Sequence, residues 1–134
     1  MNMQSATARA PEEARPGLLL ARALSRSDLE AATACFARDG CLITPDATAI
    51  HGRDRIRPLL AQLIDRRTEI EIELSSAIRG GGVVFASERW KVRAGGIDCP
   101  RVTQTWNSTL VLRQTEEDWR LAVAAPWGWG QRYV

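Results

Sequence analysis

The chain has 134 residues, 45% of them apolar, which fits one domain with a core of its own. A net charge of +2, evenly spread and carried almost wholly by arginine, argues against nucleic acid or an anionic membrane as partner. Cys35, Cys41 and Cys99 lack metal-ligand spacing and His51 is the single histidine, so neither a zinc site nor another cofactor is expected.

No apolar run reaches transmembrane length and no signal-peptide core opens the chain, so a cytoplasmic setting with reduced cysteines is expected. Residues 1–12 lack apolar periodicity and read as a flexible tail, leaving 13–134 as a single domain. A first helix is expected from Glu12 or Gly17 to Leu24, weakened early by Pro16-Gly17. Ser27 reads as an N-cap with Glu30 completing a capping box. The helix so begun carries Leu29, Ala32 and Phe36 on one stripe and ends at Asp39-Gly40, with Gly40 as a left-handed cap.

Two short strands follow, Cys41 to Pro45 and Thr48 to His51, around the turn Asp46-Ala47. After Gly52, Asp54 is the expected N-cap, placing Pro58 in the first turn. Ile56, Leu59, Leu60, Leu63 and Ile64 then form an amphipathic stripe. Arg67 to Ile78 alternates Thr68, Ile70, Ile72 and Leu74 against Glu69, Glu71 and Glu73, a strand with a solvated acidic side.

Three antiparallel strands complete the chain: Gly82 to Val92, Arg101 to Arg113, and Trp119 to about Trp127. Their connections are Gly80-Gly81-Gly82, Arg93-Ala94-Gly95-Gly96 and Glu116-Glu117-Asp118. Period two puts Val84, Ala86, Glu88, Trp90 and Val92 on one face of the first. It adds Val102, Gln104, Trp106, Ser108, Leu110 and Leu112 from the second, and Trp119, Leu121, Val123, Ala125, Trp127 and Trp129 from the third. All five tryptophans share this parity, so it lines either a core or a pocket. The opposite face carries Val83, Phe85, Thr103, Thr105, Asn107, Thr109 and Val111, too apolar for full exposure, and a homodimer through it is expected.

The element order describes an α+β fold, a curved and mostly antiparallel sheet packed on three helices. The runs from Ala37 to Pro45 and from His51 to Ile56, then Gly82-Val83-Val84, Thr109 to Arg113 and Asp118 to Leu121, carry a resemblance. They resemble the nuclear transport factor 2-like (cystatin-like) superfamily, and within it the SnoaL-like and ketosteroid isomerase-like proteins. The resemblance covers roughly residues 17 to 129 and implies a cone-shaped barrel around a cavity, and pairing through the outer sheet face. Members include isomerases, cyclases, hydrolases, dehydratases and non-catalytic association modules.

Carried over by resemblance, the oxyanion tyrosine of the isomerases falls on Leu20, their aspartate base on Thr44 before Pro45, and their protonated aspartate on Ser108. None of these three performs the corresponding chemistry, so orthodox steroid isomerisation is disfavoured. An epoxide-hydrolase relay of two carboxylates and an arginine has only Glu88 as an inward acid. Glu88 is a candidate general acid or base, because burial disfavours the charged form, or else a structural partner of an arginine or a tryptophan N–H, or a residue of a half-solvated strand. Asp46 and His51 are secondary catalytic candidates, with turn chemistry and helix capping as their structural alternatives.

Trp90, Trp106, Trp127, Ser108, Val123, Thr44 and Leu20 are the candidate ligand contacts. The tryptophans either stack on a flat molecule or fill the barrel. The cysteines read as small buried apolar side chains. Two functions follow: a binder of a small hydrophobic molecule, with isomerase, cyclase or hydrolase chemistry centred on Glu88, or a non-catalytic ligand-binding or dimeric association module.

Overall fold

The computed structural model describes residues 16–95 and 100–128. The 1–12 tail, a helix start at Glu12, Gly96, Cys99 and Trp129 lie outside the described residues. Within them the order is α1 (Leu18–Ser25), α2 (Leu29–Ala34), β1 (Phe36–Ile43), β2 (Ala49–His51), α3 (Arg53–Asp65), β3 (Glu69–Gly80), β4 (Val83–Ala94), β5 (Val102–Thr115) and β6 (Asp118–Ala125). The strands form one sheet in the order β2-β1-β6-β5-β4-β3. β1 and β6 run parallel, and every other neighbouring pair is antiparallel.

Ile56 and Leu60 of α3 are fully buried against the concave face, with Leu59, Leu63 and Ile64 packed beside them. Leu20 and Leu24 of α1 and Ala32 of α2 close the same core. The fold is therefore the expected α+β cone of a curved sheet on three helices. Alternation in β4 is complete: Val84, Ala86, Glu88, Trp90 and Val92 are buried, and the residues between them are not.

Local expectations fail where tertiary pairing intervenes. The second helix ends at Ala34, and Phe36 to Gly40 belong to β1. Gly40 is no left-handed cap. A Cβ there would lie 2.8 Å from the Leu121 carbonyl oxygen and 2.9 Å from that of Ala37. The glycine permits close backbone approach at an irregularity between Phe36 and Cys41 in the β1–β6 pairing. The N-cap of α2 is Asp28, whose carboxylate accepts from Ala31 N at 3.0 Å, while Ser27 sits in the preceding turn at φ 59°. Glu30 pairs instead with Arg57 of α3. Gly52, at φ 91°, caps α3 in place of Asp54, which moves Pro58 from the first turn into the helix interior.

Two further register shifts re-aim side chains. One lies in β3 between Ile72 and Leu74. Beyond it Ser75 and Ala77 stand opposite the buried Glu88 and Ala86, and Leu74 turns outward, against expectation. The other lies between Val111 and Leu112 of β5, across from β6. It brings Ala124 onto the Leu110 face and sends Val123 and Ala125 to a small separate cluster with Cys41 and Ile43. The expectation that Val123 faces the aromatic interior is thereby overturned.

Candidate functional site

Glu88 sits at the middle of β4, directly opposite Ser75 of β3 and Ser108 of β5. It is 3% exposed, and both carboxylate oxygens are engaged. Oε1 accepts from Trp90 Nε1 at 2.9 Å; Oε2 accepts from Ser75 Oγ at 2.7 Å and from the Gly17 N–H at 3.3 Å. Three of about four lone-pair sites are thus taken by protein donors. Gly17 is also the N-cap of α1, so the partial positive end of that helix faces the carboxylate. Packing there leaves no space for a larger residue. A Cβ on Gly17 would collide with Glu88 Oε1 and come within 2.7 Å of the Trp90 ring.

The tryptophans continue outward from this group. Trp90 and Trp106 are cross-strand partners with ring centroids 6.5 Å apart, and Trp106 lies 5.4 Å from Trp127 at an interplanar angle of 46°. Trp90 is fully buried, Trp106 nearly so, and Trp127 is half-buried. Ser108 Oγ donates to the Pro126 carbonyl at 2.7 Å and fixes the turn that presents Trp127. Trp106 Nε1 donates to Gln104 Oε1 at 3.1 Å. At the outer end lies a cleft of about 380 Å³ lined by Pro45, Gln104, Thr105, Trp106 and Trp127. Glu88 is not among its lining residues.

The structure therefore brings together Glu88, Trp90, Trp106, Ser108 and Trp127. Thr44 and Asp46 stand apart, in the β1–β2 turn whose Pro45 borders the cleft. Their side chains hydrogen-bond each other, and Thr48 N donates to both, at 3.1 Å to Thr44 Oγ1 and 3.3 Å to Asp46 Oδ1. Hydrogen bonding from the Thr44 side chain first, then from Thr48, holds the Asp46 carboxyl below its ordinary value. His51 is exposed on the edge strand β2, opposite Cys41. Leu20 is buried in the core and lines a different cavity, beside α2.

Two donors to Glu88 were missed in the sequence, Gly17 and Ser75. For Ser75 a signal existed: the apolar alternation of β3 stops at Glu73-Leu74-Ser75-Ser76, as expected where a bulge exchanges the faces. Gly17 had none, because its role depends on how α1 docks.

Among the described residues, no group of three or more histidine, cysteine or acidic side chains is placed to hold a metal ion. None of the described helices is long and apolar enough to cross a membrane. The chain matches the SnoaL-like domain across residues 19–124. No curated protein sequence matches it significantly. Similar solved structures include a dehydratase candidate of the NTF2-like family from Streptomyces avermitilis, at 17% identity and TM-score 0.73, covering 86% of this chain and 95% of that one. A candidate calcium/calmodulin-dependent protein kinase II association domain from Xanthomonas campestris shows 12% identity and TM-score 0.76, covering 90% and 87%. A ketosteroid isomerase-like protein from Erwinia carotovora atroseptica shows 16% identity and TM-score 0.69, covering 81% and 87%. At these identities the structural likeness speaks for the fold. With the domain match spanning most of its length, the chain belongs to the SnoaL-like family, and its fold is that of the nuclear transport factor 2-like proteins.

Proposed function

We propose that this protein binds a small, flat, hydrophobic molecule at the aromatic mouth of the cone, stacked on Trp127 and Trp106. The observation that carries this reading is the cleft of about 380 Å³ where two tilted indoles meet Pro45, with the Gln104 amide as the polar group that orients a ligand. Glu88, held by three protein donors, positions the inner tryptophan and the first helix; isomerase, cyclase or hydrolase chemistry would need a substrate that displaces one of those donors. A reducing cytoplasmic setting suits the free thiols of Cys35 and Cys41.

The neutral fluorescent probe N-phenyl-1-naphthylamine tests the mouth. Saturable binding is expected, with Trp127→Ala weakening it by about tenfold or more, equivalent to about 1.4 kcal/mol. Equal affinity in wild type, Trp106→Ala and Trp127→Ala would sink the proposal.

A second reading, association through the outer sheet face, draws on Leu74, Ile78 and Phe85, which are 56%, 72% and 49% exposed on that face. Ile78 and Phe85 are cross-strand partners, so they form one continuous apolar strip. This face is proposed to pair two copies of the chain. Such pairing is compatible with ligand binding, because the mouth opens at the end of the cone.

A further inference from the structure

A second cavity, of about 260 Å³, lies between α1, α2 and the beginning of β6. Leu19, Leu20, Ala31, Ala34 and Leu112 give it apolar walls, and Arg120 stands at its margin with Trp119. It shares no lining residue with the aromatic mouth. Arg120 is the anomaly here. Its Nε is buried without a hydrogen-bond partner, while Nη1 donates to the Trp119 carbonyl at 3.0 Å. A buried donor left unsatisfied is costly, more so on a charged group.

Among the described residues, no carboxylate pairs with Arg120. Glu117, at the β5–β6 turn, is committed to Arg53 and Arg38. Cys35, also in the cavity wall, is not the missing anion. Burial pushes its thiol up to about 11, and its Sγ donates to the Ala31 carbonyl at 3.3 Å. A second guanidinium, that of Arg79, lies over the Trp119 ring 5.1 Å from its centroid, also outside any ion pair among the described residues. The cavity walls are largely apolar, and the Arg120 guanidinium that lines it has no carboxylate partner among the described residues.

We propose that this cavity binds a small amphipathic monocarboxylate, an aliphatic or aryl acid, with its carboxylate on the Arg120 guanidinium and its apolar body between α1 and α2. With Nη1 tied to backbone, Nε and Nη2 form the side-on fork that a carboxylate would grip through two parallel hydrogen bonds once a small movement of the guanidinium opens the buried Nε to the cavity. The acid satisfies the orphaned Nε and supplies the missing counter-charge, and its tail covers the leucine and alanine walls.

Octanoate is the probe, titrated calorimetrically into the full-length protein. Saturable binding is expected, reduced by about tenfold or more in Arg120→Gln and unchanged in Trp127→Ala. Octanol, which has the same tail without the charge, is expected to bind more weakly and to be indifferent to Arg120→Gln. Equal octanoate affinity in wild type and Arg120→Gln overturns the proposal, as does an absence of saturable binding. Loss of binding in Trp127→Ala but not in Arg120→Gln assigns the acid to the mouth and equally overturns it. Should Arg120→Gln fail to fold, the Nε–H resonance of Arg120 in the wild type decides the matter: octanoate shifts it if the site is real, and an unmoved resonance refutes the site.

Discussion

Glu88 shows how one buried carboxylate is kept in an aromatic interior with no cationic partner among the described residues. Three donors on two oxygens replace its lost hydration, and they come from β3, β4 and the N-cap of α1. The side chain thereby ties α1 to the sheet. Glu88→Gln keeps the shape but cannot keep the bonding. Facing its amide nitrogen toward Trp90 opposes the indole N–H; facing it toward Gly17 opposes the backbone N–H. Either orientation leaves a buried donor unpaired, at a cost of about 1–3 kcal/mol. Urea unfolding monitored by tryptophan fluorescence should show that loss, and a variant as stable as wild type would mean that Glu88 does not dock the helix.

At the level of elements, the junction of β1, α3 and the β5–β6 turn is held by arginine. Arg53 Nε donates to the Phe36 carbonyl at 2.8 Å, and its Nη2 reaches Glu117 at 2.9 Å. That hydrogen bond, against a smaller opposing desolvation and with help from the Arg53 and Arg38 charges, holds the Glu117 carboxyl below its ordinary value of 4.5. A depressed carboxyl stabilises the fold fully above its unfolded value, and the contribution is lost as pH falls through the lowered one. Glu117→Gln should therefore reduce the urea midpoint at neutral pH and converge with wild type once pH falls below the lowered carboxyl value. Parallel curves over the whole range would mean that the ion pair contributes nothing measurable, the ordinary fate of exposed pairs.

For the molecule as a whole, the two faces of the sheet have different tasks. The concave face is consumed by the core, the Glu88 group and the aromatic mouth. The convex face leaves Leu74, Ile78 and Phe85 in contact with water, each Å² of apolar surface costing roughly 25 cal/mol relative to burial. A groove of about 410 Å³ adjoins that strip, its lining running from Leu74, Arg89 and Asn107 to Ser75, Glu88 and Ser108. Sedimentation at tens of micromolar should give a dimer for wild type and a monomer for Phe85→Glu. A monomeric wild type removes the association reading and leaves the mouth untouched.

Period-two alternation, turn glycines and the α3 stripe, which the amino-acid sequence states on its own, were enough for the order of elements and the α+β class. They also placed Glu88, Trp90, Trp106 and Ser108 on one face, because alternation along an unbroken strand is a local steric property. Apart from the N-caps of α2 and α3, what failed was non-local. Phe36 to Gly40 read as helix by their stripe but form a strand because β6 offers a parallel partner. Leu74 and Val123 changed faces at irregularities in the pairing with neighbouring strands. Gly17 met Glu88 across 71 residues of chain. Whether a tryptophan face is a pocket or a core was likewise beyond the pattern. That is set by which segment docks against it, and here the start of α1 seals the inner tryptophan and leaves only the outer two at the mouth.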